Sequence, residues 1–436
     1  MTCLDSLNQL VNIAFSLGQQ SPGTKDCPKL TRGDRFGHTT IFNLCNITWK
    51  TSPYIYGSGG EFLVDMLLAH GVFTSGMTIS QYDRLCDGGR LGHLAKTKIQ
   101  TMYNHFAPIV TSMANTSMSS ALVEEKEPLD VPTEHATHFV DIETDACHSA
   151  SRMASTSNIM ALGVHHHKVL KSQIIYKDDD PSAQRHETIA TRRIHDSLHQ
   201  DMVNVRNNVH DNNASVSKII VENGAHDDND RWHGIKACMK SFDKISSGLK
   251  RDHGIKWHEQ LSDKKEGVKN HLIYCVMNCG HNADFLRESI ESIPMHYSGD
   301  HYQCRLSSPC HKNRNYFPSR VIIESPLAYQ LLFDWLHKTE LYKKPDKYIN
   351  GMSTFYLESA NGALRAFCPK RMHFGKVVHA YRTNCFVLDW NENVSRDGHR
   401  VNAEDDNPLR PGRLYHCNKT RNWVRHIWNE MMSVFG

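Results

Sequence analysis

Between residues 135 and 211 three consecutive stretches carry the apolar pattern of strands, while the chain on either side has helical spacing. HFVDIETD reads as one strand, NIMALGVHHHKVLKSQIIYK as one or two, and MVNVRNNVHD as another, each bounded by polar turn residues. Such a chain is constrained to an α/β arrangement, with a sheet in the middle and helices before and after it. Its 436 residues exceed the roughly 100–200 of one domain, so two or three structural units are expected.

The flanks divide the chain further. Residues 1–57 read as a poorly structured lead-in after one short helix in MTCLDSLNQLVNIAFSLGQQ, and 58–134 as an N-terminal helical region and linker, its last two helices broken at Gly88 and Gly89. After Asp211, DRWHGIKACMKSFDKISSGLK puts Ile235, Cys238, Met239, Phe242, Ile245 and Leu249 on one helical face and Lys236, Lys240, Lys244 and Lys250 on the other. Trp232, beside that apolar face, reads as a core residue more readily than a stacking one. Ser325 and Pro326 start a helix with the stripe Leu327, Leu331, Leu332 and Trp335, and Ser353 is the expected cap of TFYLESANGALRAF. A core over 135–395, with a helical insertion at about 255–320 that contains a Cys/His cluster, and a basic aromatic tail over 396–436 complete the division.

Several function classes fall away. No apolar run reaches the roughly 20 residues of a membrane span, so no membrane role is expected. The odd count of 13 cysteines at irregular intervals argues for reduced thiols and an intracellular protein rather than a disulfide framework. Gly57, Gly59 and Gly60, like Gly88 and Gly89, lack the Lys-Ser or Lys-Thr of a phosphate loop, and there is no Gly-x-Ser-x-Gly elbow. The net charge of +3 means that a nucleic-acid partner would be met by local basic patches.

Carboxylates carry the strongest chemical reading. Asp141 and Asp211 lie at the ends of strand-like runs and Glu358 in an apolar-periodic helix; brought together, they would offer the hard oxygen donors that Mg²⁺ or Mn²⁺ prefers. Asp145, Asp230 and His233 are neighbouring or alternative ligands, Asp145 or Asp230 becoming a true one if the register differs by a turn.

From about residue 58 to 395 the chain resembles a family of metazoan transposon-derived proteins with a ribonuclease H-like DDE transposase core. DIETDACHSAS is similar to the family's segment with two aspartates four apart, at Asp141 and Asp145. VHDNNASVSKIIVEN resembles its second-aspartate segment through Asp211, and HDDNDRWHGIKACMKSF its Asp-x-Trp-His helix through Asp230, Trp232 and His233. YLESANGALRAFCPKRMHF resembles its Leu-Glu-Ser segment and following Pro-Lys, at Glu358, Pro369 and Lys370. The resemblance implies a ribonuclease H-like mixed sheet with flanking helices, and two Mg²⁺ or Mn²⁺ ions held by Asp141, Asp211 and Glu358. It further implies DNA as partner in the nucleus, and metal-dependent polynucleotidyl transfer or cleavage. Ile142-Glu143, Asn212-Asn213 and Asn361 replace the family's Gly-Arg, Arg-His and His beside the acidic positions. A domesticated DNA-binding protein without catalysis is therefore the alternative, and a structural or assembly protein without a nucleic-acid role the third reading; a homo-oligomer is compatible with each.

Cys275, Cys279, Cys304, Cys310 and His311, with His281 and His301 nearby, have the donor types of a structural Zn²⁺ site. Lys240, Lys244, Lys370, Arg421 and Arg425 are candidate phosphate contacts, and Trp423, interleaved among basic residues, a candidate for base stacking. His165, His166 and His167 read as a solvated strand edge.

Overall fold

The computed structural model describes residue 9 and residues 34–36, 39–44, 47–58, 60–89, 91–126, 138–150, 154–306, 308–313, 316–401 and 413–435. The helix expected at the start of the chain lies outside these residues. Within the supposed lead-in, β1 (Asp34–Phe36), β2 (Thr39–Leu44) and β3 (Ile47–Lys50) form an antiparallel sheet joined by short connections. Three runs of three to six residues are too short for a periodic pattern to stand out in the sequence.

Helices α1 (Leu63–Thr74), α2 (Ile79–Gly88) and α3 (Lys96–Glu125) follow. A reciprocal capping box between Thr78 and Gln81 starts α2, and Gly89 stops it. Tyr82, Ile99, Met102, Tyr103, Phe106 and Val110 point from α2 and α3 into one core. That core also receives one face of the central sheet and the last helices of the chain.

The sheet comprises β4 (His138–His148), β5 (Thr156–Gly163), β6 (Val169–Tyr176), β7 (Val203–His210) and β8 (His226–Asn229), in the order β6-β5-β4-β7-β8. The pairs β4/β5 and β5/β6 are antiparallel, while β4/β7 and β7/β8 are parallel. Helices α4 (Ala183–Gln200) and α5 (Ala214–Glu222) supply the crossovers that parallel pairing requires. The period of two is plain in β5: Ile159 and Ala161 enter the core beneath α4 and α5, whereas Met160 and Leu162 enter the core shared with α3. Both faces are covered, so every residue of β5 is buried.

Between β8 and the next core helix the chain leaves the sheet and builds a helical body with an apolar core of its own, from Ile235 to Tyr348. This is wider than the insertion of about 255–320 read from the sequence, because the helix carrying Ile235 and the one carrying Trp335 both turn their apolar stripes into it. Its elements are α6 (Arg231–Met239), α7 (Asp243–Ser246), α8 (Lys265–Met277), α9 (Ala283–Glu291), α10 (Ile293–Tyr297), α11 (Pro309–Lys312), α12 (Pro326–His337) and α13 (Glu340–Lys343). Its entry and exit are tied together: the Arg231 N–H donates to the Met352 carbonyl at 3.2 Å, and Asn229 Nδ2 to Tyr348 Oη at 3.3 Å.

The chain then returns as α14 (Phe355–Phe367), α15 (Lys376–Asn393), the hairpin of β9 (Gly398–Val401) and β10 (Arg413–His416), and α16 (Asn422–Phe435). Helix α16 is part of the fold and not a tail. Trp423, Ile427 and Met431 are buried on its inner face, and the Glu392 carboxylate caps it by accepting the Asn422 and Trp423 N–H groups, both at 2.8 Å. No helix among the described residues is long and apolar enough to cross a membrane.

Arg382 of α15 is fully buried and faces carbonyls. Its guanidinium donates to Gly76 and Met77 beyond the end of α1 and to Phe367 at the end of α14, with the Phe374 ring 4.7 Å away. The carbonyl ends of two helices thereby find the cation that their dipoles favour. Gly76 permits the approach, since at φ +75° a Cβ would stand 2.6 Å from the Ala366 carbonyl oxygen. Arg382→Met leaves those carbonyls without donors and is expected to lower the unfolding free energy by about 3 kcal/mol, read as a fall in the urea midpoint.

Candidate metal centre

The parallel register of β4 with β7 builds the site. Asp141 pairs with Asn207, Ile142 with Asn208 and Glu143 with Val209, so Asp211, one residue beyond β7, comes level with Asp145. Asp141, Glu143 and Asp145 share the face of β4 turned towards α14. There the Asn361 Nδ2 donates to Asp145 at 2.8 Å, and Glu143 accepts the Leu357 N–H at 3.2 Å.

Two helix starts bring the remaining groups. Asp230 is the N-cap of α6, accepting the Trp232 N–H at 2.6 Å and the His233 N–H at 3.1 Å. Its other oxygen accepts the N–H of Thr354 at 2.9 Å and the Thr354 hydroxyl. Thr354, not the expected Ser353, is the residue preceding α14, and its hydroxyl is spent on Asp230 instead of capping its own helix. Glu358 therefore projects from the first turn of α14 and His233 from the first turn of α6. His233 Nδ1 lies 3.2 Å from Asp211 and 3.3 Å from Asp230, and Nε2 lies 3.2 Å from Glu358. Nδ1 is at ion-pair distance from its carboxylates without the alignment of a hydrogen bond.

The electrostatics follow from this crowding. Burial, with Asp211 and then Glu187 and Glu358 as like charges, pushes the Asp145 carboxyl up to about 7 against one opposing backbone N–H. Burial pushes Glu143 up to about 8, with Asp230 and Glu125 adding to it. Burial would also raise Asp230, but its donors from Thr354 and His233 prevail and hold it below the ordinary carboxylate value. Partial burial works to lower His233, and Asp211, Asp230 and Glu358 outweigh it and raise the imidazole.

Asp211, Glu358, Asp145, Asp230 and His233 are thus neighbours, but Asp141 stands apart. Four residues upstream on the same strand, about 13 Å away, it receives Arg206 Nε at 3.1 Å and Asn207 Nδ2 at 2.7 Å. Asp145, and not Asp141, comes level with Asp211, because β4 continues to His148 while its parallel partner ends at His210, opposite Thr144. Glu143 and Glu187 of α4 are the acidic neighbours that the sequence reading missed; the alternation Asp141, Glu143, Asp145 was the available signal.

The carboxylates lie between two clefts. One, of about 970 Å³, runs from Asp211, Asp230 and His233 past Lys240, Lys244, Lys256 and Lys338. The other, of about 650 Å³, runs from Asp145 and Glu358 past Arg365, Lys370 and Arg371. Lys240, Lys244 and Lys370 are therefore beside the site, whereas exposed Arg421 precedes α16, exposed Arg425 is on it and Trp423 is inside the core. Trp232, expected in the core, is 45% exposed with Lys269 over its ring. His165 and His166 are in the turn after β5, where both N–H groups donate to the buried Glu125 carboxylate.

Among the Cys and His residues, Cys304 and Cys310 are together, but with His296 and His301. Cys275 is buried in the helical core, the Cys279 thiol donates to the Val276 and Ile349 carbonyls, and His311 Nε2 donates to the Cys304 carbonyl at 3.0 Å. A further small group, His253, His258 and Glu259, lies in the loops after α7.

The sequence matches no protein-family model and no curated protein. The chemistry of the centre is consequently read from its own groups.

A carboxyl whose folded-state pKa stands near 7 instead of about 3.8 holds its proton more tightly when folded. Its stabilising contribution is complete below about pH 4 and is lost as pH rises through 7. In EDTA, Asp145→Asn is expected to melt about 3 °C above the parent at pH 8, and with no such advantage at pH 4. Equal differences in melting temperature at both pH values would contradict that ionisation.

Proposed function

We propose that this chain is a divalent-metal-dependent enzyme that cleaves or transfers DNA phosphodiesters, on a core of the ribonuclease H-like kind. The observation that carries the reading is the meeting of Asp211, Asp230 and His233, whose ligand atoms lie within 4.8 Å of one another, with Glu358 3.2 Å from His233 and Asp145 level with Asp211 at the strand ends, between two clefts lined in part by Lys and Arg. The mixed five-stranded sheet with its flanking helices is compatible with such a core.

The residues fit hard cations. Asp145, Asp211 and Glu358 present carboxylate oxygens, and Asn361 Oδ1, buried beside Asp145, has no partner among the described residues. Proton retention by Asp145 is the expected signature of a carboxylate group that lacks a counter-charge. Asp145, Asp211 and Glu358 would hold Mg²⁺ or Mn²⁺, while Asp230 is committed to α6 and Thr354. Two such ions would supply activation of a water or 3′-hydroxyl and neutralisation of charge at the leaving oxygen.

The chain's own groups do the rest. Lys240, Lys244, Lys256 and Lys338 on one side, and Arg365, Lys370 and Arg371 on the other, bind the sugar–phosphate backbone either side of the scissile bond. His233, favoured in its protonated form by three carboxylates, holds a proton at Nε2 within reach of an oxygen beside Glu358.

Mg²⁺- or Mn²⁺-dependent nicking of labelled duplex DNA is the test. Asp145→Asn and Asp211→Asn are expected to reduce it at least about 1,000-fold while DNA binding persists, and Asp141→Asn to leave it within about threefold. Loss in Asp141→Asn with activity retained in Asp145→Asn would overturn the site. Steeply salt-sensitive binding without cleavage by any variant would support the binding-only reading, which the replacement of a basic residue by buried Glu143 favours.

A further inference from the structure

A second cluster of metal-ligating side chains, of different chemistry, lies in the helical body. His296 of α10, His301 and Cys304 of the following loop, and Cys310 of α11 each turn one ligand atom to a common point, all within 4.8 Å of one another. His296 Nδ1 is 3.3 Å from Cys304 Sγ and 3.2 Å from His301 Nδ1, and Cys304 Sγ is 3.8 Å from His301 Nδ1. The edges of a tetrahedron with Zn–N of about 2.05 Å and Zn–S of about 2.3 Å are about 3.3 Å between nitrogens and about 3.6 Å from nitrogen to sulfur. Both cysteines are free thiols.

Two further observations point the same way. His296 Nε2 lies 3.2 Å from the Tyr316 hydroxyl; donating there, the ring leaves the Nδ1 lone pair directed at the other three donors. Secondly, the segment from Ser298 to Ile322 is held to the body by polar contacts, of Arg305 with Asn278 and the Phe285 ring, of Ser308 with Tyr274, and of Val321 with Asp263 and Lys264, and not by an apolar core. Tyr297 and Ile323 belong to the apolar core, but the described residues between them contribute no buried apolar side chain, and Tyr302, Leu306 and Phe317 are largely exposed. A connection of this length whose described residues bury no apolar side chain is unusual in a packed body, unless a staple replaces the missing core.

We propose that His296, His301, Cys304 and Cys310 bind one structural Zn²⁺ that staples the 298–322 segment to α10. All four positions are filled by protein, as in closed structural sites, so the ion takes no part in catalysis. The set differs from that read off the sequence: His296 and His301 stand in place of Cys275, Cys279 and His311. The spacing His-x4-His-x2-Cys-x5-Cys was the available signal.

The experiment is metal analysis of the full chain after dialysis against metal-free buffer, with limited trypsin digestion, for which Arg305, Lys312 and Arg320 offer sites in the segment. One zinc per chain is expected in the parent, in Cys275→Ser, in Cys279→Ser and in the carboxylate-site variant Asp211→Asn. Zinc is expected to be lost in Cys304→Ser and in His296→Ala. Stripping with phenanthroline should speed cleavage within the segment about tenfold while the sheet remains protected, and added Zn²⁺ should reverse it. Zinc retained in a Cys304→Ser, Cys310→Ser double variant would overturn the proposal. So would a parent free of zinc, with Cys304 and Cys310 either oxidised to a disulfide or freely alkylated. None of these readouts depends on DNA cleavage, so the failure of one proposal is distinguishable from that of the other.

Discussion

The Asp230 carboxylate joins the two halves of the candidate centre. One oxygen caps α6 and the other holds the N–H and hydroxyl of Thr354 at the start of α14, two helix starts 124 residues apart in sequence. Both helices contribute from their first turns, His233 from one and Glu358 from the other. Helix N-termini leave unpaired N–H groups, and here a single carboxylate satisfies donors from both. Without it the imidazole and Glu358 would have no fixed relation to each other or to the strand ends that carry Asp145 and Asp211. Asparagine has one acceptor oxygen, so it could serve only one of the two helix starts, and it would withdraw one of the charges that raises His233.

Placing so much acid at one end of a sheet that is covered on both faces has a cost in solvation. Glu143 and Asp145 are pushed towards neutrality by burial, and Asp230 escapes only because four donors surround it. The hydrogen bonds from Asn361 and from the Leu357 N–H ease this without supplying charge. Asp141, on the same face, is instead relieved by the Arg206 guanidinium. One strand therefore carries a neutralised carboxylate and, two and four residues on, two that lack a full counter-charge.

Much of this arrangement was legible in the sequence. The strands of the sheet, the capping of α12 at Ser325, the breaks at Gly89 and the apolar face of α6 follow from periodicity and local capping chemistry. The exact placing of the first carboxylate did not, since choosing between Asp141 and Asp145 needs the end of β4 relative to β7, and register is a non-local property. Trp423 and the basic residues around it look the same in sequence whether the helix is free or docked; only its burial against the α3 and α15 core separates the cases. His296 escaped notice because it lies on a helix while its three companions lie in and after the next loop.

The neck of the helical body ties geometry to position. Asp230, Arg231 and Asn229 on entry meet Thr354, Met352 and Tyr348 on exit, so the body is held at the edge of the sheet next to Asp211. Its α6 consequently serves two surfaces at once: the buried face of Ile235, Cys238 and Met239 anchors the helical core, while Lys240, just past its end, lines the cleft that begins at His233. A shift of the body about this neck would move the lysine wall and the imidazole together relative to the strand-borne carboxylates. The rigidity of the helical body, stapled or not in its long loop, is thus mechanically connected to the spacing of the groups at the centre.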